Sequence, residues 1–75
     1  MSILFLGGAM KFNERLKNER KSQKLTQQFV AAEIGISVRA YQQYEQGLYE
    51  PNIEKLIKLA DLFDVTVDFL IGRVD

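Results

Sequence analysis

Five side chains between residues 38 and 46 have the types and spacing to recognise a polar edge. Val38, Arg39, Gln42, Gln43 and Gln46 recur at short intervals that a helix would gather on one side. Their groups match what a base pair presents in the major groove. An amide can donate and accept to adenine, a guanidinium can donate twice to guanine, and a valine can touch a thymine methyl. The plain alternative is an ordinary solvent-facing side, where glutamine is common. What favours reading chemistry is position: Ser37 opens this segment directly after a turn at Gly35.

Other chemistries find little support. The chain has no cysteine and no histidine, which removes thiol nucleophiles, disulfides and the usual zinc ligands and fits a reducing, cytoplasmic setting. Asp61, Asp64 and Asp68 are spaced along helix ends with no base, nucleophile or metal cluster beside them. The expectation is therefore no enzyme, no metal, no cofactor and no small-molecule ligand. With 75 residues there is room for one domain at most. Its formal net charge is zero, but the charge is uneven. Lys11, Arg15, Lys17, Arg20, Lys21 and Lys24 meet only Glu14 and Glu19 in the first third, while Glu50 onward is acidic. A dipolar domain of this kind can still present a basic face to phosphate.

Capping signals and periodicity place the elements. A first helix is expected from about Asn13 to Ser22, with Phe12 and Leu16 as a narrow apolar seam. Thr26 and Ser37 are expected N-caps of a second and third helix, and Gly35 and Gly47 their stops. Val30, Ala31 and Ile34 share one face of the second helix; Ala40, Tyr41 and Tyr44 share the inner face of the third. Asn52, after Pro51, opens a fourth helix to about Phe63 with Ile53, Leu56, Ile57, Leu59, Ala60 and Phe63 on a broad inward arc. Thr66 caps a short fifth helix with Val67, Leu70 and Ile71 inward. Five short helices with short loops describe a compact all-α domain over residues 10–72, with an apolar extension at 1–9 and a tail at 73–75.

The second and third helices, joined by so tight a turn, have the form of a helix-turn-helix. Leu25-Thr26-Gln27, Val30-Ala31, Ile34-Gly35-Ile36-Ser37, Tyr44-Glu45, Gly47 and Pro51, followed by the runs Leu56–Phe63 and Val65–Gly72, resemble the XRE-type helix-turn-helix family, which includes lambdoid phage repressors and Cro. The resemblance implies a five-helix repressor-like fold and sequence-specific binding of double-stranded DNA as a homodimer on a palindromic operator. It implies a recognition helix over about residues 37–46. By position, Gln27 would contact phosphate, and Ser37, Val38, Arg39, Gln42 and Gln43 would read base edges or anchor that helix. Arg20 and Glu45 match a structural ion pair bridging the first helix to the end of the recognition helix. The chain departs from the family pattern at Lys24, a frequent glycine, and at Phe29, a frequent acidic cap. It departs again at Leu48-Tyr49, where a cation often meets phosphate. Only the Tyr49 hydroxyl and backbone amides could make that contact here, so a modest salt dependence is expected.

Some apolar groups are left over by these periods. Phe29, Leu62 and Phe69 lie off the inward faces, and Ile3, Leu4, Phe5 and Leu6 form the apolar leader. Leu62, Phe69 and the leader are expected to contact a second subunit or another partner, while for Phe29 the plain reading is packing sideways onto the first helix or the leader, with a partner contact as the alternative. The leader is too short for a membrane span and lacks a basic start; its plain reading is a frayed extension. A transcriptional regulator, either a repressor or an antitoxin-like one, is the leading functional expectation. The competing one is a protein-interaction module of the same fold with little DNA affinity.

Overall fold

A computed structural model describes residues 11–73, which form α1 (Phe12–Ser22), α2 (Gln27–Ile34), α3 (Val38–Gln46), α4 (Ile53–Phe63) and α5 (Val67–Leu70). The order and caps are those expected from the sequence; α1 begins one residue earlier than about Asn13. Each helix after the first starts on a side-chain oxygen. Thr26 accepts from the Phe29 amide at 3.0 Å, Ser37 from Ala40 at 3.1 Å, Asn52 from Lys55 at 2.9 Å and Thr66 from Phe69 at 3.0 Å. For α1, the Glu14 carboxylate reaches back to the Lys11 amide at 3.3 Å, satisfying an orphan donor from inside the helix.

Three helices stop in the same way. Gly35, Gly47 and Asp64 take left-handed conformations at φ 80°, 80° and 59°. The next residue then donates back across the last turn: Ile36 to Ala31, Leu48 to Gln43 and Val65 to Ala60, each at 3.0 Å. These paired bonds satisfy carbonyls that would otherwise be orphaned. Reversal within two residues of Ile34 is what lets α3 cross α2 immediately.

The core joins all five helices. Leu16, Val30, Ala31, Ile34, Tyr41, Leu59, Ala60, Phe63 and Leu70 are buried together. The inward faces of α2 and α3 are those the sequence indicated, but the arc of α4 is narrower. Ile53 is 76% exposed and Ile57 48%, and Ile71 after α5 is also exposed. Eleven residues of helix meet too little neighbouring surface to cover so wide an arc. Conversely, Leu62 is not spare: it is partly buried against the core. Phe69 is half-buried, with the Arg15 guanidinium 4.6 Å from its ring centroid, a cation–π contact. Among the described residues, the large apolar side chains left uncovered are Phe29, Val38, Leu48, Tyr49, Ile53, Ile57 and Ile71. The leader residues Ile3, Leu4, Phe5 and Leu6, and the end of the tail, lie outside the described residues.

Lys24 is the other non-glycine residue at positive φ, 60°. It closes the turn from α1, with its amide on the Lys21 carbonyl at 3.0 Å. A side chain with a Cβ is disfavoured there by roughly 1–2 kcal/mol. Lys24→Gly should therefore stabilise the domain by about 0.5–1 kcal/mol after glycine's own entropic cost. A thermal melt should move up by a few degrees, roughly 2–8 °C for a domain this size; a lower midpoint would show that the lysine stem makes a compensating contact.

Candidate nucleic-acid interface

Two helices frame the face. Ser37 and Gly47 set where α3 starts and stops, and between them Arg39, Gln42, Gln43 and Gln46, joined by Leu48, line one shallow open groove. Arg39 and Val38 are exposed; Gln42 and Gln43 are half-buried. The inner side of the same helix carries Tyr41, fully buried, and Tyr44, whose rings meet edge to face at 6.3 Å. The division expected between an inner aromatic side and an outer amide side is therefore present.

The end of α3 is tied to α1, to α2 and to the turn between them around one residue, Glu45. Arg20 Nε donates to Glu45 Oε2 at 2.7 Å and Arg20 Nη2 to Oε1 at 3.1 Å, a two-pronged pair with side chains only 11% and 4% exposed. Arg20 Nη1 also donates to the Leu25 carbonyl at 2.9 Å, fixing the turn before α2. Asn13 Nδ2 donates to the Glu45 carbonyl at 3.3 Å. Gln27 Nε2 donates to Glu45 Oε1 at 3.1 Å, and Gln42 Nε2 donates to Gln27 Oε1 at 3.2 Å. A continuous polar chain thus runs from α1, through the end of α3 and the start of α2, to the outer face.

Electrostatics keep this chain charged. Burial would raise the Glu45 pKa, but hydrogen bonds led by those from Arg20 outweigh it and hold the carboxyl below its ordinary value. The hydrogen bond from Glu45 likewise raises the Arg20 pKa against burial. The Tyr41 hydroxyl, buried beside the pair with no hydrogen-bond partner among the described residues, is pushed far above the phenol range by burial and by the nearby carboxylate.

The expected site residues separate into groups. Val38, Arg39, Gln42 and Gln43 share the outer side of α3, with Ser37 spent on the cap. Gln27 stands beside them, but its amide is engaged on both ends by Glu45 and Gln42. Tyr49 is exposed and borders a different groove, with Phe12, Asn13, Tyr44 and Ile71. Phe29, 44% exposed, projects from the first turn of α2 outside the core. Gln46 lines the groove with the other outer residues, as its place on that face indicated, and Leu48 is the one lining residue that the sequence did not suggest. The i, i+4 step from Gln42 signals Gln46; Leu48 reaches the groove only because the chain reverses at Gly47, which spacing alone does not reveal. Among the described residues there is no group of side chains suited to hold a metal ion, and no helix is long and apolar enough to cross a membrane.

The chain is similar to known proteins over most of its length. A family profile described as helix-turn-helix matches residues 16–70. The Cryptic phage CTXphi transcriptional repressor RstR of Vibrio cholerae is 47% identical over 64 residues, covering 85% of this chain and 57% of that protein. The HTH-type transcriptional regulator YqaE of Bacillus subtilis is 45% identical over 60 residues, 80% of this chain and 52% of its own. The chain thus spans little more than half the length of these relatives. Among solved structures, the P22 c2 repressor in complex with synthetic operator 9T superimposes with a TM-score of 0.80 at 30% identity, covering 84% of this chain and 96% of that one.

The Arg20–Glu45 pair predicts both a cost and a pH dependence. Glu45→Ala leaves a buried guanidinium unpaired and should destabilise the domain by about 3–5 kcal/mol in denaturant titration. Because the folded-state pKa of Glu45 is depressed, its stabilisation is fully present above the ordinary value of 4.5 and is lost as pH falls through the lower folded value. Glu45→Gln should lose that part of the acid limb; an unchanged acid limb would mean that the pair contributes no linkage.

Proposed function

The chain belongs to the XRE-type helix-turn-helix family, and from that premise we propose that it is a sequence-specific double-stranded DNA-binding regulator of transcription. The observation that carries this reading is the outer side of α3: Val38, Arg39, Gln42 and Gln43 stand together on a helix whose opposite side is locked into the core. In this reading α3 enters the major groove and these groups meet base edges. The relatives are named as repressors and regulators, and the structural neighbour is a repressor in complex with a synthetic operator; both support binding rather than catalysis.

Phosphates are met by two helix starts. The first amides of α2 and of α3 have no intrahelical acceptor, and such amides bind anions. Lys24 and Arg39 are exposed near them in sequence. The uncovered side chains of the other edge support assembly as a two-fold homodimer. Ile53 and Ile57 lie one turn apart on α4, outside the core, and a second copy would bury them and place two recognition helices about 34 Å apart. Phe29 and the leader are the remaining candidate contacts from the sequence.

Arg39 is the residue with the largest assigned share of specificity. Selection from a randomised duplex pool should return a palindromic site for the parent chain. Arg39→Ala should weaken binding to it by about 1–3 kcal/mol and relax one base position in each half-site. Unchanged affinity and preference would remove Arg39 from the reading face. Binding that loses little between low and moderate salt fits few phosphate contacts; a steep salt slope would show that more cations touch the backbone than the face implies.

A further inference from the structure

Two adjoining grooves open where α1 begins. One, about 230 Å³, is lined by Phe12, Pro51, Leu56 and Ile71 with the exposed Glu50. The other, about 400 Å³, shares Phe12, Glu50 and Ile71 and continues past Tyr44 and Tyr49 to Lys11. Volumes of this size take whole side chains, since a water's share of the liquid is about 30 Å³. We propose that this surface is the docking site of the chain's own leader, with alternate members of Ile3-Leu4-Phe5-Leu6 seated along it. The inference does not rest on DNA binding. It gives the leader an intramolecular seat in place of the contact with a second copy that its composition suggested.

The groove lies where the leader joins the domain. Lys11, the first described residue, is part of its lining, and Phe12 beside it is shared by both lobes. Only Gly7-Gly8-Ala9-Met10 connects the apolar run to that point. An extended residue spans at most about 3.3–3.6 Å, so Leu6 stays within about 18 Å of Lys11. Consecutive glycines let the chain reverse at little steric cost, because glycine enters left-handed conformations freely. A tether this short holds the run at an effective concentration in the millimolar range over its own groove. A second copy would have to exceed that concentration to displace it, which favours the chain's own leader as occupant over a partner's.

The chemistry matches on both sides. Residues 1–9 carry no charged side chain, so no charge has to leave water when they dock. The wall they would meet is aliphatic and aromatic. Ile71 and Tyr49 are exposed, while Phe12, Tyr44, Pro51 and Leu56 are half-buried and keep an outer side free. An uncovered Ile-Leu-Phe-Leu run and an uncovered Ile71 are both unfavourable in water, and docking removes them together. An extended run presents alternate side chains to one side, which suits two lobes that share part of their lining. The α4 pair Ile53 and Ile57 lines neither lobe, so the edge proposed for the homodimer stays open with the leader seated.

The test uses the full chain. With no cysteine in the sequence, Ser2→Cys gives a single position for a spin label. Amide NMR should show the signals of Phe12, Tyr49 and Ile71 broadened by the label and those of Ile53 and Ile57 unaffected. Mixing labelled chains with isotope-enriched, unlabelled ones separates a chain's own leader from a partner's. The broadening should be absent from the mixture; its presence there would seat the leader on a second copy and overturn the intramolecular site. No broadening, or broadening confined to Ile53 and Ile57, also overturns it and leaves the leader a frayed extension or a contact elsewhere. Phe5→Asp should abolish the broadening, and a signal that survives it would mean that the apolar run does not hold the leader. Two melts test the same seat energetically. Removing residues 1–9 should lower the thermal midpoint by roughly 4–8 °C. Ile71→Ser should then cost the full chain more than the leaderless one, because only the full chain has a leader contact to lose. Equal losses in the two would show that Ile71 and the leader do not meet.

Discussion

The arrangement depends on one ion pair. Glu45 sits near the end of α3, and Arg20 near the end of α1 supplies it with two hydrogen bonds. The same guanidinium holds the Leu25 carbonyl, and the Glu45 backbone takes the Asn13 amide. The two ends of α1, the turn before α2 and the end of α3 are thereby fixed to each other. Such a pair adds little net stability over a well-packed apolar replacement, because both charges leave water. What it contributes is orientation: α3 cannot roll on the core without stretching two charge-assisted bonds whose geometry is planar and two-pronged. A face proposed to meet base edges needs that rigidity more than it needs a deeper core.

Most of the fold was legible because its punctuation is local. Thr26, Ser37, Asn52 and Thr66 act as caps within three residues of themselves, and Gly35 and Gly47 take the one conformation that favours glycine. Burial was legible where the helix faces are narrow, as for Val30, Ala31, Ile34 and Tyr41. It failed where the answer depends on the size of the neighbour. Ile53, Ile57 and Ile71 have the right period to be inside but find no surface opposite, while Leu62 and Phe69 are off-period yet partly buried. Periodicity states which residues share a face; it does not state how wide a face the partner can cover.

The candidate site divides along the same line. The outer residues of α3 could be grouped from spacing alone, since a helix of known start fixes them. Arg20 and Glu45 were paired through family resemblance, because 25 residues separate them and no local pattern joins them. The role of Gln27 required the folded chain. Its amide reaches Glu45 across 18 residues and Gln42 across 15, and only that geometry shows its two ends occupied. The zero net charge, which taken alone speaks against a polyanionic partner, becomes compatible with one because the cations concentrate in the first third of the chain. In the proposed reading, base-edge contacts and helix starts carry what a dense basic patch would carry elsewhere.

The central claim is that one face, built from α3 and the start of α2, meets duplex DNA while α4 and α5 stay clear of it. Amide NMR of the chain titrated with a duplex selected from a random pool reads this residue by residue. The account predicts shifts concentrated at Thr26–Gln28 and Ser37–Leu48, with the α4 and α5 amides changing only where two copies meet. Shifts concentrated on α4 and α5, or no shifts with any selected duplex at low salt, would contradict it.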